Sequence, residues 1–158
     1  MTPAIVQKEG FAVIGIETRT RNGYEADPAT ARIPGIWQHF FTEQVEEKIS
    51  QRINPTVYYA VYTEYESDYT GAYTYILGSA VSNLAALSRG MIKVELPASR
   101  YMVFTAQGVM PTAIIETWNE IWHYFTTNTT YHRAYTADFE LYDKNNPEKV
   151  EIYIALFR

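Results

Sequence analysis

The segment Asp138-Phe139-Glu140-Leu141-Tyr142 alternates polar and apolar side chains with period two. In a strand, Asp138, Glu140 and Tyr142 then share one face while Phe139 and Leu141 share the other. With helices covering Phe139 and Leu141, Glu140 would turn toward a cleft. A carboxylate among apolar and aromatic neighbours is costly to bury unless hydrogen-bonding tyrosines or a cationic guest compensate it. The competing reading makes Glu140 a solvated residue or the partner of a nearby arginine. In the first half of the chain, Tyr58-Tyr59-Ala60-Val61 aligns with Phe139-Glu140-Leu141-Tyr142 at one offset, which places Tyr59 where the second half has Glu140. Tyr73 and Tyr75 alternate on the strand beside it. Rings around one carboxylate attract an organic cation, each contact contributing about 0.5 to 2 kcal/mol. Trp37 and Trp118 lie on the apolar stripes of two helices, as core anchors able to line the same cleft. Tyr58, Phe104 and Phe139 read as core.

Other chemistries lack their residues. The chain has no cysteine, which removes disulfides, thiol catalysis and cysteine-based metal sites. His39, His123 and His132 show no metal-ligand spacing with a carboxylate, and no nucleophile elbow, phosphate-cradling loop or dinucleotide fingerprint occurs. No metal and no cofactor are expected. A formal charge of -5 without clustered Lys and Arg argues against a nucleic-acid surface. No apolar run approaches the ~20 residues that cross a bilayer, so no membrane contact is expected. The first nine residues lack the core of a secretory signal, which predicts a mature start at Met1 and a cytoplasmic address.

These side chains need elements to position them. With 158 residues, 47% apolar and 20% charged, the chain reads as one globular domain over 1–158. Its 14 tyrosines suit both a sheet and a ring-lined site. The pattern predicts a strand over 11–19, a loop over 23–32, a helix over 36–49, and strands over 56–65 and 71–81. The second half repeats the order: strands over 91–96 and 100–106, a helix carrying Ile114, Trp118, Ile121 and Phe125, then strands over 136–142 and 150–157. Trp37 precedes Tyr58, and Trp118 precedes Phe139, by the same interval. The expected architecture is α+β: duplicated β-α-β-β units (about 1–82 and 90–158) sharing one antiparallel sheet, both helices on one face, with a central ligand groove where the units join.

The motifs resemble those of the GyrI-like effector-binding domain family, which is also the drug-sensing module of AraC-type and MerR-type transcription regulators. The matching pieces are Ile33-Pro34-Gly35-Ile36-Trp37, Tyr58-Tyr59-Ala60-Val61-Tyr62, Tyr73-Thr74-Tyr75-Ile76-Leu77-Gly78, Leu96-Pro97-Ala98-Ser99-Arg100-Tyr101-Met102-Val103-Phe104, the helix at Trp118, and Asp138-Phe139-Glu140-Leu141-Tyr142-Asp143. They run in order along nearly the whole chain. The resemblance implies a duplicated β-α-β-β fold whose groove takes small, often cationic and aromatic molecules, with a buried glutamate meeting the charge. Glu140 lies in the matching motif, with Tyr142, Tyr59 and Tyr75 as ring candidates. Family regulators carry a helix-turn-helix module that this chain has no residues left to supply, so a stand-alone binding protein without direct DNA contact is expected.

The leading reading is thus a protein that binds organic cations or amphipathic drug-like compounds for sensing or sequestration. Two others stay open: hydrolysis of electrophilic small molecules by a groove Glu/Tyr pair, with Glu17 or Glu64 as a second carboxylate, and inhibition of a protein partner such as DNA gyrase. The acidic run at Glu43, Glu46 and Glu47 reads as a solvated helix face. An exposed sheet edge leaves room for a homodimer.

Overall fold

Tyrosine, valine, isoleucine and threonine recur through the extended segments, and the chain folds them into a single antiparallel sheet. The computed structural model describes residues 3–128 and 130–157. The strands are β1 (Ala4–Lys8), β2 (Phe11–Arg21), β3 (Val57–Thr63), β4 (Ala72–Val81), β5 (Ile92–Leu96), β6 (Ser99–Gln107), β7 (Ala137–Asp143) and β8 (Lys149–Ala155). They pair in the order β1-β6-β8-β7-β3-β4-β2-β5. The helices are α1 (Asn22–Glu25), α2 (Ile33–Thr42) and α3 (Thr112–Thr127), with a 3-10 turn at Val45–Lys48. Among the described residues no helix is long and apolar enough to cross a membrane.

The duplicated β-α-β-β plan is present: β2-α2-β3-β4 fills one half of the sheet and β6-α3-β7-β8 the other, meeting where β3 pairs with β7. The leading strands are exchanged, β1 pairing with β6 and β5 with β2. Only Glu9 and Gly10 link β1, at one edge, to β2, beside the opposite edge. So short a link spans roughly 10 Å, which forces the sheet to curl until its edges approach. The link between β5 and β6 crosses at the same place: a Cβ on Gly10 would stand 2.9 Å from the Leu96 carbonyl oxygen.

Curling gives the faces different work. The inner face gathers side chains from all eight strands, including Val13, Ile76, Tyr101 and Phe139, into one cluster. The outer face carries both helices: Ile36 and Phe40 of α2 pack on Ile14 and Tyr75, while Trp118 and Ile121 of α3 pack on Met102 and Ile152. The expectation that helices cover Phe139 is therefore overturned. Phe139 lies inside the curl, where the sheet packs on itself, and Glu140 lies on the helix-bearing face.

Three local readings also change. No strand was expected at Ala4–Lys8, whose partner β6 lies far along the chain. The loop over 23–32 begins with the short helix α1. The helix expected over 36–49 breaks after Thr42, where Gln44 turns left-handed at φ 49°, and resumes as the 3-10 turn. That turn places Glu46, whose side chain is only 12% exposed, against Lys144 at 2.5 Å, so this glutamate is not part of a solvated face.

Candidate functional site

Glu140 sits on β7 directly opposite Ala60 of β3. Because Ala60 is small, the residues flanking it on the same face, Tyr58 and Tyr62, have space to lean over the join. Three side chains donate to the carboxylate: Tyr62 Oη to Oε2 at 2.9 Å, Trp118 Nε1 to Oε2 at 2.7 Å, and Tyr142 Oη to Oε1 at 2.7 Å. Indole N–H can only donate, so Oε2 is an acceptor throughout. The residue is 2% exposed, and no cationic side chain pairs with it among the described residues. Burial pushes its carboxyl above the ordinary value, and the hydrogen bonds from Tyr142, Trp118 and Tyr62 pull part of the way back. Burial, then the Glu140 charge, drives the phenols of Tyr62 and Tyr142 well above theirs, which keeps both hydroxyls protonated as donors.

A cleft of about 480 Å³ opens in front of this cluster, lined by residues that include Tyr62, Tyr65, Tyr73, Trp118, Trp122 and Arg133. The carboxylate is one hydrogen bond behind the wall, since Tyr62 and Trp118 both line the cleft and both donate to it. The α1 segment that interrupts the expected loop forms part of the rim through Asn22, Glu25 and Ala26. Asn22 donates to the Tyr69 carbonyl at 2.8 Å and accepts from Tyr73 Oη at 3.1 Å. Glu25 caps the start of α2, accepting from the backbone N–H of Arg32 and Ile33 at 2.9 and 3.1 Å.

Of the six residues singled out from sequence, Glu140, Tyr142 and Trp118 meet directly. Trp37 and Tyr75 form an adjoining pair, with Trp37 Nε1 donating to Tyr75 Oη at 2.7 Å, and they join the cluster through rings: Trp37 to Tyr142 at 4.9 Å and Tyr75 to Tyr62 at 5.1 Å. Tyr59 does not join. It points to the inner face, with ring centroids 5.5 Å from Phe11 and 5.6 Å from Phe139. The alignment that equated it with Glu140 joins residues on opposite faces of the sheet, and a shift of a single residue along a strand is enough to reverse the face. The exposed residues Glu17 and Glu64 do not join either: Glu17 falls on the inner-face parity of β2, while Glu64 accepts from Thr74 at 3.0 Å. Sequence reading missed Tyr62 and Tyr65 as site residues, together with Arg133. The parity of Tyr62 with Glu140 across β3 and β7 was the available signal, once the register is known.

A second buried carboxylate, Asp138, lies on the same face two residues before Glu140. It is 0% exposed and accepts from Arg133 Nη2 at 2.7 Å, Tyr65 Oη at 2.5 Å and the Ala155 N–H at 2.8 Å. Among the described residues no three His, Cys, Asp or Glu side chains group as metal ligands. The arrangement sets buried carboxylates behind flat apolar rings at the wall of a cavity large enough for a small molecule.

Comparison with known proteins agrees with this architecture. The chain is 33% identical over 147 residues to the putative transcriptional regulator protein YobU of Bacillus subtilis (strain 168), a match spanning 90% of this chain and 89% of that one. It superposes on an integron cassette protein from the mobile metagenome of Vibrio cholerae with a TM-score of 0.81 at 36% identity, covering 99% of this chain and 96% of the other. The fold also matches SAV2435, solved bound to tetraphenylphosphonium, with a TM-score of 0.77 at 23% identity over 99% and 94% of the two chains. A family model described as integron-associated effector binding protein matches residues 4–156. The chain belongs to this family of effector-binding proteins.

Proposed function

We propose that the chain binds aromatic organic cations in the cleft between α1 and α3, with the Glu140 charge behind Tyr62 and Trp118 as the attracting group, and that its role is to sense or sequester such compounds. One observation carries this reading: a buried carboxylate held by three donors with no cationic partner among the described residues. Burial of that kind is destabilising in isolation, and a cationic guest would offset it. The rings at the cleft add face contacts of about 0.5 to 2 kcal/mol each. The tetraphenylphosphonium held by SAV2435 is a compound of this class, and it motivates the choice of probe.

Tryptophan fluorescence tests the proposal. Trp118 and Trp122 line the cleft, whereas Trp37 faces Tyr75 beside it. Titration with tetraphenylphosphonium should quench the emission at concentrations at least about tenfold lower than triphenylphosphine oxide, a neutral analogue, requires. Equal responses to both compounds would remove charge from the recognition, and no response to either would empty the cleft of its proposed role.

A further inference from the structure

Asp138 and Glu140 make two similar arrangements side by side. They stand roughly 7 Å apart along the same face of β7. Both are buried, both accept from tyrosine hydroxyls, and both adjoin the cleft through lining residues: Tyr65 and Arg133 for Asp138, Tyr62 and Trp118 for Glu140. The difference is the cation. Asp138 holds the Arg133 guanidinium, whose centre lies 4.4 Å from the Tyr135 ring, 5.8 Å from Tyr65 and 6.0 Å from Trp118. The Arg133 side chain is only 3% exposed. Above, a ligand cation is proposed to lie among rings with the Glu140 charge behind them; at Asp138 a planar cation already lies among rings and meets the carboxylate directly, so one of the two positions is filled by the chain itself.

We propose that Arg133 is a built-in cation that occupies the second carboxylate position of the cleft and thereby restricts the site to ligands carrying a single positive charge. This rests on the cleft being the cation site. Trp118 ties the two positions together, its N–H on Glu140 and its ring facing Arg133. A guest beside Glu140 therefore has the guanidinium as its near neighbour. A second positive charge on that guest, reaching about 7 Å along the sheet, meets Arg133 where it would otherwise meet Asp138, and like charges there cost affinity. Removing the guanidinium without altering Asp138 exposes the second carboxylate to the ligand.

The test uses benzyltrimethylammonium and p-xylylene-bis(trimethylammonium), a matched monocation and dication, titrated calorimetrically into the wild type, Arg133→Gln and Arg133→Lys. The wild type should prefer the monocation. Arg133→Gln should shift the ratio of the two dissociation constants toward the dication by at least about tenfold, and Arg133→Lys, which keeps the charge, should retain the wild-type ratio. An unchanged ratio in Arg133→Gln overturns the proposal. The wild-type titrations are decisive without any variant having to fold, because a dication bound as tightly as the monocation also overturns it. A wild type that binds neither compound refutes the cleft reading itself, whereas one that binds both equally refutes only the role of Arg133.

Discussion

Replacing Trp118 by phenylalanine separates the indole N–H from the ring. The substitution keeps an aromatic side chain against Tyr62, whose ring centroid is 5.1 Å away, and deletes the donor that reaches Glu140 Oε2 at 2.7 Å. A hydrogen bond to a buried charged group contributes about 1.5–3 kcal/mol. The smaller ring forfeits about 1 kcal/mol more in buried area. The total, roughly 2.5–4 kcal/mol, corresponds to a fall in Tm of roughly 5–15 °C for a chain of this size. Trp122→Phe is the control: Trp122 lies on the same helix and lines the same cleft, yet its indole N–H has no hydrogen-bond partner among the described residues. Thermal unfolding followed by circular dichroism at pH 7 should show Trp118→Phe the less stable of the two by at least about 1.5 kcal/mol. Equal losses in the two variants would refute the claim that the Trp118 N–H holds the buried carboxylate.

Three further outcomes are expected from the same geometry. Because the folded-state carboxyl of Glu140 is raised above its ordinary 4.5, its contribution to stability is fully present below that value and is lost as the pH rises through the folded-state value. Urea midpoints should therefore show Glu140→Gln gaining on the wild type from pH 4 toward neutrality, and a gain in the opposite direction would contradict the assignment. Asp138→Asn leaves the Arg133 guanidinium buried without its carboxylate and should cost about 3–5 kcal/mol in denaturant unfolding, with a loss below ~1 kcal/mol ruling out a tightly held pair. Gly15 pairs with Gly78 across β2 and β4, where a Cβ on Gly15 would stand 2.1 Å from the Leu77 carbonyl oxygen. Gly15→Ala should lower stability by roughly 2–3 kcal/mol through overpacking, and a neutral result would mean that the strands separate easily there.

The part of the site that sequence reveals is the part set by local alternation. Glu140 and Tyr142 share a strand face because they are two residues apart, and Trp118 announces itself on a regular helical stripe. What sequence does not reveal depends on pairings distant along the chain. Which face of β7 the helices take is undecided locally, because Phe139 needs burial as much as Glu140 needs donors; the curl of the sheet supplies an interior for Phe139 and leaves the outer face to the helices. Tyr59 and Tyr62 look alike in the sequence, and only the register that sets Ala60 opposite Glu140 distinguishes them. The role of Arg133 requires that a segment after α3 return beside β7, where it bridges to Leu156. The overall plan was nonetheless legible, since the seven strands β2 to β8 and the helices at Trp37 and Trp118 carry their own periods, whereas the four-residue α1 is too short to show one and the exchanged strand β1 was missed because its pairing lies wholly in the other half.

Whether the Glu140 charge selects the ligand is decided by calorimetric titration of the wild type and Glu140→Gln with tetraphenylphosphonium at neutral pH, beside a Tm measurement that confirms the variant is folded. Glutamine keeps the shape and can still meet Tyr62, Trp118 and Tyr142, so the fold should hold. The affinity should fall at least about tenfold, roughly 1.4 kcal/mol, with Tm unchanged or higher. Equal affinity in a folded variant would contradict charge selection and remove Glu140 from recognition.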